Sequence, residues 1–441
     1  MRLASSLIIT VFLFILIACP APPPDPPDAV RDTRIYIEII DLWTTSITLK
    51  ISVADTTQSW GFALSKDDSI ILETVAFGRD TSIVDDGLIP STDYSYKVYF
   101  IGEAELQDSS QAFNATTMDT TSHSFNWEID TLGIYGSYLN DVAIISEDNI
   151  WVVGNIETDS MQYNAAHWDG GEWEYLKILS GNSAVSTICY FSQNDIWTSI
   201  GSFPVYWDGT DWTLYHLQEM GLDVHTINSS WGTSSSNMYF VGDGGSIVHF
   251  NGTEFMKMES GTEINLIDIT GTVDEQHVFV CGTRNNNPQG SVIMELVDNN
   301  WETIYFSEPL LPADNCGWAY TISVCQDTLY SATMAGLWKY NYLDSGFDLY
   351  SKENHNNSFF FTTFRRSFVN SVADIFLINL NFTIIHFNGV NWAFDDQFLQ
   401  LFGTSNIYAR GADYQDDNLV ISGYINGGAN AVVARGERNR F

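Results

Sequence analysis

Basic residues are scarce in this 441-residue chain: 18 Lys and Arg stand against 55 Asp and Glu, a formal net charge of −37. A surface so negative repels phosphate backbones, which excludes nucleic acid as a partner. Charge of either sign is also thin, at 17% where ~25% is usual, so the acidity reflects missing bases and not dense acidic runs. Only five cysteines occur, and none lies near a second Cys and a His pair at the spacing a zinc site requires. Of the 11 prolines, six fall between Pro20 and Pro27, which leaves the rest of the chain free to pair as strands. Beyond the first 18 residues no apolar run is long enough to cross a bilayer. Against these absences stand 45% apolar and 14% aromatic residues, enough for packed cores and against disorder. The length allows two or three domains at roughly 100–200 residues each.

The chain begins Met1-Arg2, runs through an apolar stretch from Leu3 to Ala18, and reaches Leu16-Ile17-Ala18-Cys19. One positive charge, a short apolar run and a small residue before the break describe an export signal over 1–18. Leu-Ile-Ala-Cys resembles the bacterial lipobox, which implies lipidation of Cys19 and attachment to a membrane through acyl chains. Residues 19–32 follow as a Pro-rich tether, extended at ~3.1 Å per residue. The expected location is the cell envelope, outside the cytoplasm, at the outer membrane or cell surface in preference to the inner membrane. Cys316 and Cys325 are placed to form a disulfide in such an oxidising compartment. Cys189 and Cys281 sit in apolar strand patterns and read as small buried hydrophobes.

From 33 to 118, short β-branched and aromatic runs recur. Ser46–Val53 and Tyr94–Phe100 alternate with period two, as half-buried strands do. Six or seven such runs fit a small sandwich. Within it, Leu88-Ile89-Pro90-Ser91-Thr92-Asp93-Tyr94-Ser95-Tyr96-Lys97-Val98 resembles the fibronectin type III signature Leu-x-Pro-x-Thr-x-Tyr-x-Tyr-x-Val. The resemblance implies a corner in which the Tyr94 hydroxyl bonds to backbone, and a spacer role. The second strand lacks that family's Trp, with Leu49 to Val53 in its place.

The remainder, 124–441, is repetitive. A polar pair, an aliphatic residue and an aromatic open each copy: Asp148-Asn149-Ile150-Trp151, Asn194-Asp195-Ile196-Trp197, Ser236-Asn237-Met238-Tyr239 and Gln276-His277-Val278-Phe279. The unit returns as Asp327-Thr328-Leu329-Tyr330, Ala373-Asp374-Ile375-Phe376 and Asp417-Asn418-Leu419-Val420, so seven copies are spaced 40 to 51 residues apart. A second unit follows the opening aromatic by 9 to 16 residues in four copies, as in His167-Trp168-Asp169-Gly170-Gly171-Glu172-Trp173, with partners at Tyr206–Trp212, His249–Phe255 and His386–Trp392, and a degenerate form, Val297-Asp298-Asn299-Asn300-Trp301, stands in the fourth copy. Asp-Gly and Asn-Gly favour tight hairpins. Four strands per copy make one blade, and the chain is all-β: a fibronectin type III-like sandwich, then a seven-bladed β-propeller of four-stranded blades. The last copy lacks an outermost strand, and Ser124–Asp130 is expected to supply it. The copies resemble the bacterial propeller repeats Asn-Asp-Val-Trp-x-Val-Gly … Leu-His-Tyr-Asp-Gly-x-x-Trp of secreted and lipid-anchored proteins, a likeness that speaks to architecture more than to activity. A choline- or glucan-binding solenoid would repeat about every 20 residues, which the period excludes.

Catalytic chemistry finds little support. His167, His249 and His386 occupy one repeat position on different blades, so they read as structural and not as a metal cluster. The propeller arginines, Arg284, Arg365, Arg366, Arg410, Arg435, Arg438 and Arg440, lack the settings of a sialidase. Asp85-Asp86-Gly87 and Asp413–Asp417 are the densest acidic spots; without calcium-loop spacing they read as solvated turn charge. No metal and no cofactor is expected. Trp231, Trp318 and Trp338 fall outside the repeat pattern and are candidates to line the top or central channel, where sugars stack on tryptophan. The expectation is a monomeric, non-catalytic binding or scaffold lipoprotein that engages an extracytoplasmic protein or glycan through one propeller face. The alternatives are a sialidase-like glycoside hydrolase and a lectin.

Overall fold

The computed structural model describes residues 30–31, 35–53, 60–76, 78–101, 106–284, 290–307, 317–343, 346–351, 363–403, 406–425 and 430–439. Cys19, most of the tether and Cys316 lie outside the described residues. Strands dominate, and among the described residues one α-helix, Gln397–Phe402, interrupts them.

The N-terminal part is a two-sheet sandwich. One sheet runs in the order Val30–Arg31, Ile35–Leu42, Ser46–Val53, Asp80–Asp86; the other runs Ser69–Ala76, Trp60–Lys66, Asp93–Ile101, Leu106–Ser109, with Phe113–Thr116 also paired to Asp93–Ile101. Alternation along Ser46–Val53 turns Ile47, Leu49, Ile51 and Val53 inward, where they meet Trp60, Phe62, Tyr96 and Phe113. The Tyr94 hydroxyl accepts the Ile89 backbone N–H at 2.8 Å, tying the chain where it crosses between sheets.

Asp85 departs from its reading as a solvated turn charge. It is buried at the end of its strand, accepting from Lys66 Nζ at 3.0 Å and from the Tyr96 hydroxyl at 2.6 Å. Burial, followed by this bond to Asp85, pushes the Tyr96 phenol far above its ordinary range. The alternation of its strand, which places Val84 outward and Asp85 inward, outweighs the polar context of Asp85-Asp86-Gly87.

Beyond residue 124 the described residues form seven four-stranded antiparallel sheets. Their first strands are Tyr138–Ser146, Ile188–Ser192, Ile227–Ser234, Asn265–Gly271, Ala319–Cys325, Phe364–Ser371 and Ile407–Gln415. Each first strand touches that of the next sheet, and Ile407–Gln415 returns to touch Tyr138–Ser146. The result is a closed ring, a β-propeller, and the sheets are numbered here as blades 1 to 7 in that order. Blade 5, the least regular in sequence, is a complete sheet of Ala319–Cys325, Thr328–Thr333, Gly336–Asn341 and Gly346–Ser351. Blade 7 takes its outermost strand from the other end of the domain, because Phe125–Leu132 pairs along its whole length with Asn430–Arg438.

The repeat motifs explain why the blades form. In each Asp-Gly or Asn-Gly unit the acid or amide oxygen accepts two backbone N–H groups across the turn: Asp169 from Gly171 and Glu172, Asp208 from Thr210 and Asp211, Asn251 from Thr253 and Glu254, Asn388 from Val390 and Asn391. The glycines that follow take φ of 90°, 92°, 87° and 89°, a region that β-carbons disfavour. Aromatic pairs flank the turns, such as Trp168 with Trp173 and Phe250 with Phe255, across directly paired residues. Between blades the same aromatics wedge: Trp197 is fully buried against Tyr206 and Tyr215 of its own blade and Phe240, Phe250 and Phe255 of the next.

The sandwich rests on the ring at blade 6, where the Thr44 hydroxyl donates to the Gly389 carbonyl. The connecting segment adds Thr121 to Asp374 at 2.9 Å and His123 to His386 at 2.7 Å.

Candidate functional site

Successive blades place their first strands around a central channel, and six of those seven strands share one irregularity. Register shifts fall at Leu139/Asp141, Ile227/Ser229, Leu266/Asp268, Ala319/Thr321, Phe364/Arg366 and Ala409/Gly411. Each is a bulge close to the strand's start, the end at which the chain enters from the preceding blade. A bulge re-aims the side chains on either side of it. Here it sets one residue of each of these six blades just inside the channel, among them Asp141, Ser229, Asp268, Thr321 and Arg366; blade 2 has no shift at this place. The skipped residue stands at the mouth, among them Asn140, Asn228, Ile267, Tyr320, Arg365 and Arg410.

The inner set forms a charge-bearing plug. Arg366, on blade 6, lies 3.3 Å from an Asp141 carboxylate oxygen on blade 1 and 3.9 Å from Asp268 on blade 4. The carboxylates also stitch neighbouring blades together through backbone amides. Asp141 accepts from Ile188 of blade 2 at 3.0 Å, Asp268 from Ile322 of blade 5 at 3.0 Å, and Asp413 from Ile144 of blade 1 at 2.7 Å. Hydroxyls fill the remainder: Thr321 donates to Asp268 at 2.7 Å, and Ser323 and Ser367 lie 2.8 Å apart. Burial raises the Asp141 carboxyl above its usual value against the pull of Arg366, and raises Asp413 to about 6, with the Asp141 charge adding to the effect. Burial opposes the charge on Arg366, yet Asp141 and Asp268 hold its pKa above the ordinary one.

Asp413 thus corrects a second sequence expectation. The run Asp413-Tyr414-Gln415-Asp416-Asp417 is not one solvated patch. Asp416 and Asp417 form the turn at positive φ, while Asp413, three residues earlier on the strand, lines the channel.

At the mouth, Arg365 and Arg410 are both exposed and stand on adjacent blades. Arg410 donates to the Asn140 side-chain oxygen at 2.7 Å and stacks over the rings of Tyr138 and Tyr424, 5.0 and 5.3 Å from their centroids. Tyr408 stacks in turn on Tyr424 at 5.1 Å.

The three candidate tryptophans are dispersed. Trp231 is half-buried on the first strand of blade 3, where it wedges against Gly271 of blade 4; a β-carbon there would lie 2.5 Å from the indole. Trp318 is half-buried just before the first strand of blade 5, its carbonyl accepting from Met334 N–H. Trp338 is buried in the third strand of that blade and presents no ring face to solvent. Cys325 is buried, and its proposed bridge to Cys316 falls outside the described residues. Cys281 is fully buried and Cys189 half-buried; burial pushes the Cys189 thiol up to about 12, which leaves it unreactive.

The histidines fall into pairs that hold each blade. His167 meets Asn149 at 2.9 Å, His249 meets Asn237 at 2.5 Å and His386 meets Asp374 at 2.8 Å. Each ring also packs on its blade's opening aromatic: Trp151, Tyr239 and Phe376 respectively. Blade 4 keeps the pair with its members exchanged, His277, just before the second strand Val278–Arg284, meeting Glu295 on the third at 2.7 Å. Among the described residues no group of three or more His, Cys, Asp or Glu is arranged to hold a metal ion.

The pair on blade 6 is the most enclosed. Asp374 also receives Arg438 of blade 7 at 2.9 Å, and His386 Nδ1 faces His123. A carboxylate only accepts, so His386 carries its proton on Nε2 and presents a bare Nδ1 to His123. Burial outweighs Asp374 and lowers the His386 pKa to about 4. In the unfolded chain the imidazole titrates near ~6.5. Between these values the unfolded state binds a proton that the folded state refuses, so the contribution of His386 to stability falls as pH drops from about 6.5 towards 4. In urea titrations at pH 4.5, 5.5 and 7, His386→Gln is expected to show a shallower acid slope than the wild type, by up to about 1.4 kcal/mol per pH unit. Equal slopes would remove His386 as the source.

Comparison with solved structures finds propellers. YCF48 bound to D1 peptide matches with a TM-score of 0.53 at 13% identity, over 73% of this chain and 98% of that one. YCF48 from Cyanidioschyzon merolae matches at 0.47 and 13%, over 70% and 98%, and the Pan2 WD40 domain of Neurospora crassa at 0.46 and 9%, over 74% and 98%. At these identities the likeness is one of fold. No protein-family model matches the chain, and no curated protein matches it.

Proposed function

We propose that this chain is a non-catalytic binding lipoprotein of the cell envelope. Cys19 carries the lipid, residues 19–32 form the tether, the fibronectin type III-like sandwich acts as spacer, and the propeller presents its channel-mouth face to a protein partner. The carrying observation is how the channel spends its polar groups. Asp141, Asp268, Asp413 and Arg366 are committed to one another and to backbone amides of neighbouring blades, which makes a stiff platform and not an assembled reaction centre. The sandwich supports the spacer role through its sheet pairing and its Tyr94–Ile89 bond. A propeller of similar fold, YCF48, has been solved with a D1 peptide bound, which favours a protein ligand here.

Photoreactive residues test the reading in intact cells. Placed at Glu263 and Asn406, in connections that enter first strands, they are expected to give protein adducts. Placed at Thr210, in a turn at the opposite end of a blade, they are expected to give none. Adducts from Thr210 alone, adducts from neither end, or hydrolysis of any member of a glycoside panel by the purified chain would each overturn it.

A further inference from the structure

The mouth residues run against the composition. In a chain of net charge −37 with 18 basic residues, two arginines occupy the same bulge position on adjacent blades. Neither Arg365 nor Arg410 forms an ion pair with a carboxylate among the described residues, although the molecule has three times as many acids as bases. The one nearby arginine that is paired, Arg366, already serves Asp141 and Asp268 from inside the channel. The Arg365 guanidinium makes no hydrogen bond to any described residue. It is exposed to solvent yet ringed by protein. Burial and the neighbouring charges of Arg410 and Arg366 lower its pKa below that of an ordinary arginine, and it remains charged. Two like charges at neighbouring positions, with no carboxylate among the described residues paired to either, repel each other, and an anion that bridges them relieves the repulsion.

Arg410 is preorganised for that task. The Tyr138 and Tyr424 rings and the Asn140 amide fix its plane, and only one of its five N–H donors is engaged by a described residue. Holding the fork still before a ligand arrives removes an ordering cost that a mobile surface arginine would meet on binding. The tyrosines, Tyr408 included, give an apolar floor beside the charges, which suits a chain carrying both an acid and flanking side chains more than a lone inorganic ion.

We propose that Arg365 and Arg410 form a carboxylate-binding subsite at the channel mouth, taking an acidic side chain or the free C-terminus of a peptide segment of the partner. This rests on the reading of the propeller as a protein-binding platform and specifies the chemistry that platform selects.

The test uses the purified chain from residue 20 onward and fluorescent decapeptide pools of otherwise random neutral sequence. One pool ends in a free carboxylate, one holds a central Glu with an amidated end, and one is amidated with Gln in place of Glu. Uronic-acid oligosaccharides serve as a fourth probe. One or both carboxylate pools are expected to bind at least tenfold tighter than the neutral pool, and which of the two binds names the source of the acid. Arg365→Gln and Arg410→Gln are expected to remove most of that difference. Arg365→Lys should retain part of it, since a lysine keeps the charge and loses the fork. The melting transition of each variant, unchanged, reports that the ring is intact.

Equal binding of acid and neutral pools, binding of no peptide pool, or carboxylate selectivity that survives both Gln variants would overturn the subsite. Binding confined to the oligosaccharides would overturn the peptide assignment. If the Gln variants leave the in-cell adducts at Glu263 and Asn406 unchanged, the platform stands and the subsite falls. Loss of the adducts in the wild type as well would bring down the platform.

Discussion

A chain lacking Phe125–Leu132 is expected to lose the single cooperative melting transition of the propeller, with the first unfolding event at least 10–20 °C below that of the intact protein. The reason is where this strand sits. It is the outermost strand of blade 7, paired residue for residue with Asn430–Arg438, while its chain continues directly into blade 1. Trp127 packs on Gly436 so closely that a β-carbon there would lie 2.6 Å from the indole, and its ring meets Phe398 of the one helix edge-on at 5.0 Å. Asp130 accepts from the Trp173 indole at 3.0 Å in blade 1 and from Arg435 at 2.9 Å in blade 7. Arg435 stacks 3.8 Å above the centroid of Trp168, again in blade 1. One strand therefore fastens the last blade to the first.

The magnitude follows from familiar costs. Truncating a packed tryptophan costs about 3–5 kcal/mol. The freed edge of Asn430–Arg438 adds backbone groups without partners, and the Asp130 bridge disappears. A loss above ~5 kcal/mol shifts Tm by roughly 2–4 °C per kcal/mol in a domain of this size. Because an open ring exposes two sheet edges, blades 1 and 7 are expected to fray separately, and probes in those blades should melt before probes in blade 4. Coincident transitions at an unchanged temperature would show that the ring does not depend on this closure. The milder variant Trp127→Ala separates packing from pairing, since it keeps the backbone ladder.

Much of the architecture is legible in the sequence because repetition averages away local ambiguity. Any one polar-aliphatic-aromatic triplet is a weak sign of a strand. Seven copies, four of them followed by a full hairpin unit, establish a sheet period. The Asx turns at Asp169, Asp208, Asn251 and Asn388 are equally readable, because only a few residue pairs support them. The channel is harder to read. Its residues lie in the first strand of each blade, the least conserved part of the repeat in its spelling: Asp141, Ser229, Asp268, Thr321 and Arg366 share a position and almost no chemistry. What they share is a bulge, and a bulge is a register between two strands that has no residue signature of its own here. Asp85 and Asp413 illustrate the same limit. Composition places an acid in water, whereas strand alternation decides which side of a sheet it faces. Read back from the openings, Arg365 lies 11 residues before Phe376 and Arg410 ten before Val420, so the spacing alone pairs Arg410 with Arg366, and only the bulge register sets Arg365 and Arg410 at one position.

The second large effect concerns Arg366. Replacing it with Met keeps most of the side-chain volume and removes the cation that Asp141 and Asp268 share. Leaving buried charge without its partner costs about 3–5 kcal/mol, and the loss is expected to depend on pH in a definite direction. Asp413 already titrates at about 6 and the Asp141 carboxyl is raised, in both cases through burial first. Without Arg366 both folded-state values move further above the unfolded one near ~3.9. A carboxyl whose folded pKa is raised binds its proton more readily in the native state. Its destabilising effect is therefore complete above the folded pKa and fades as pH falls towards the unfolded value. Arg366→Met should thus be far less stable than the wild type at pH 7.5 and regain much of the difference by pH 5. In the wild type two contributions oppose each other over that interval, since His386 makes the native state resist protonation while Asp413 and Asp141 favour it, so the quantity to compare is the difference between variant and wild type at each pH. Adding Asp141→Asn and Asp268→Asn to Arg366→Met is expected to restore stability at pH 7.5, since the amides keep acceptors for Ile188 and Ile322 without their charge. A pH-independent deficit in Arg366→Met, or no rescue by the two amides, would mean that Arg366 contributes packing and not neutralisation.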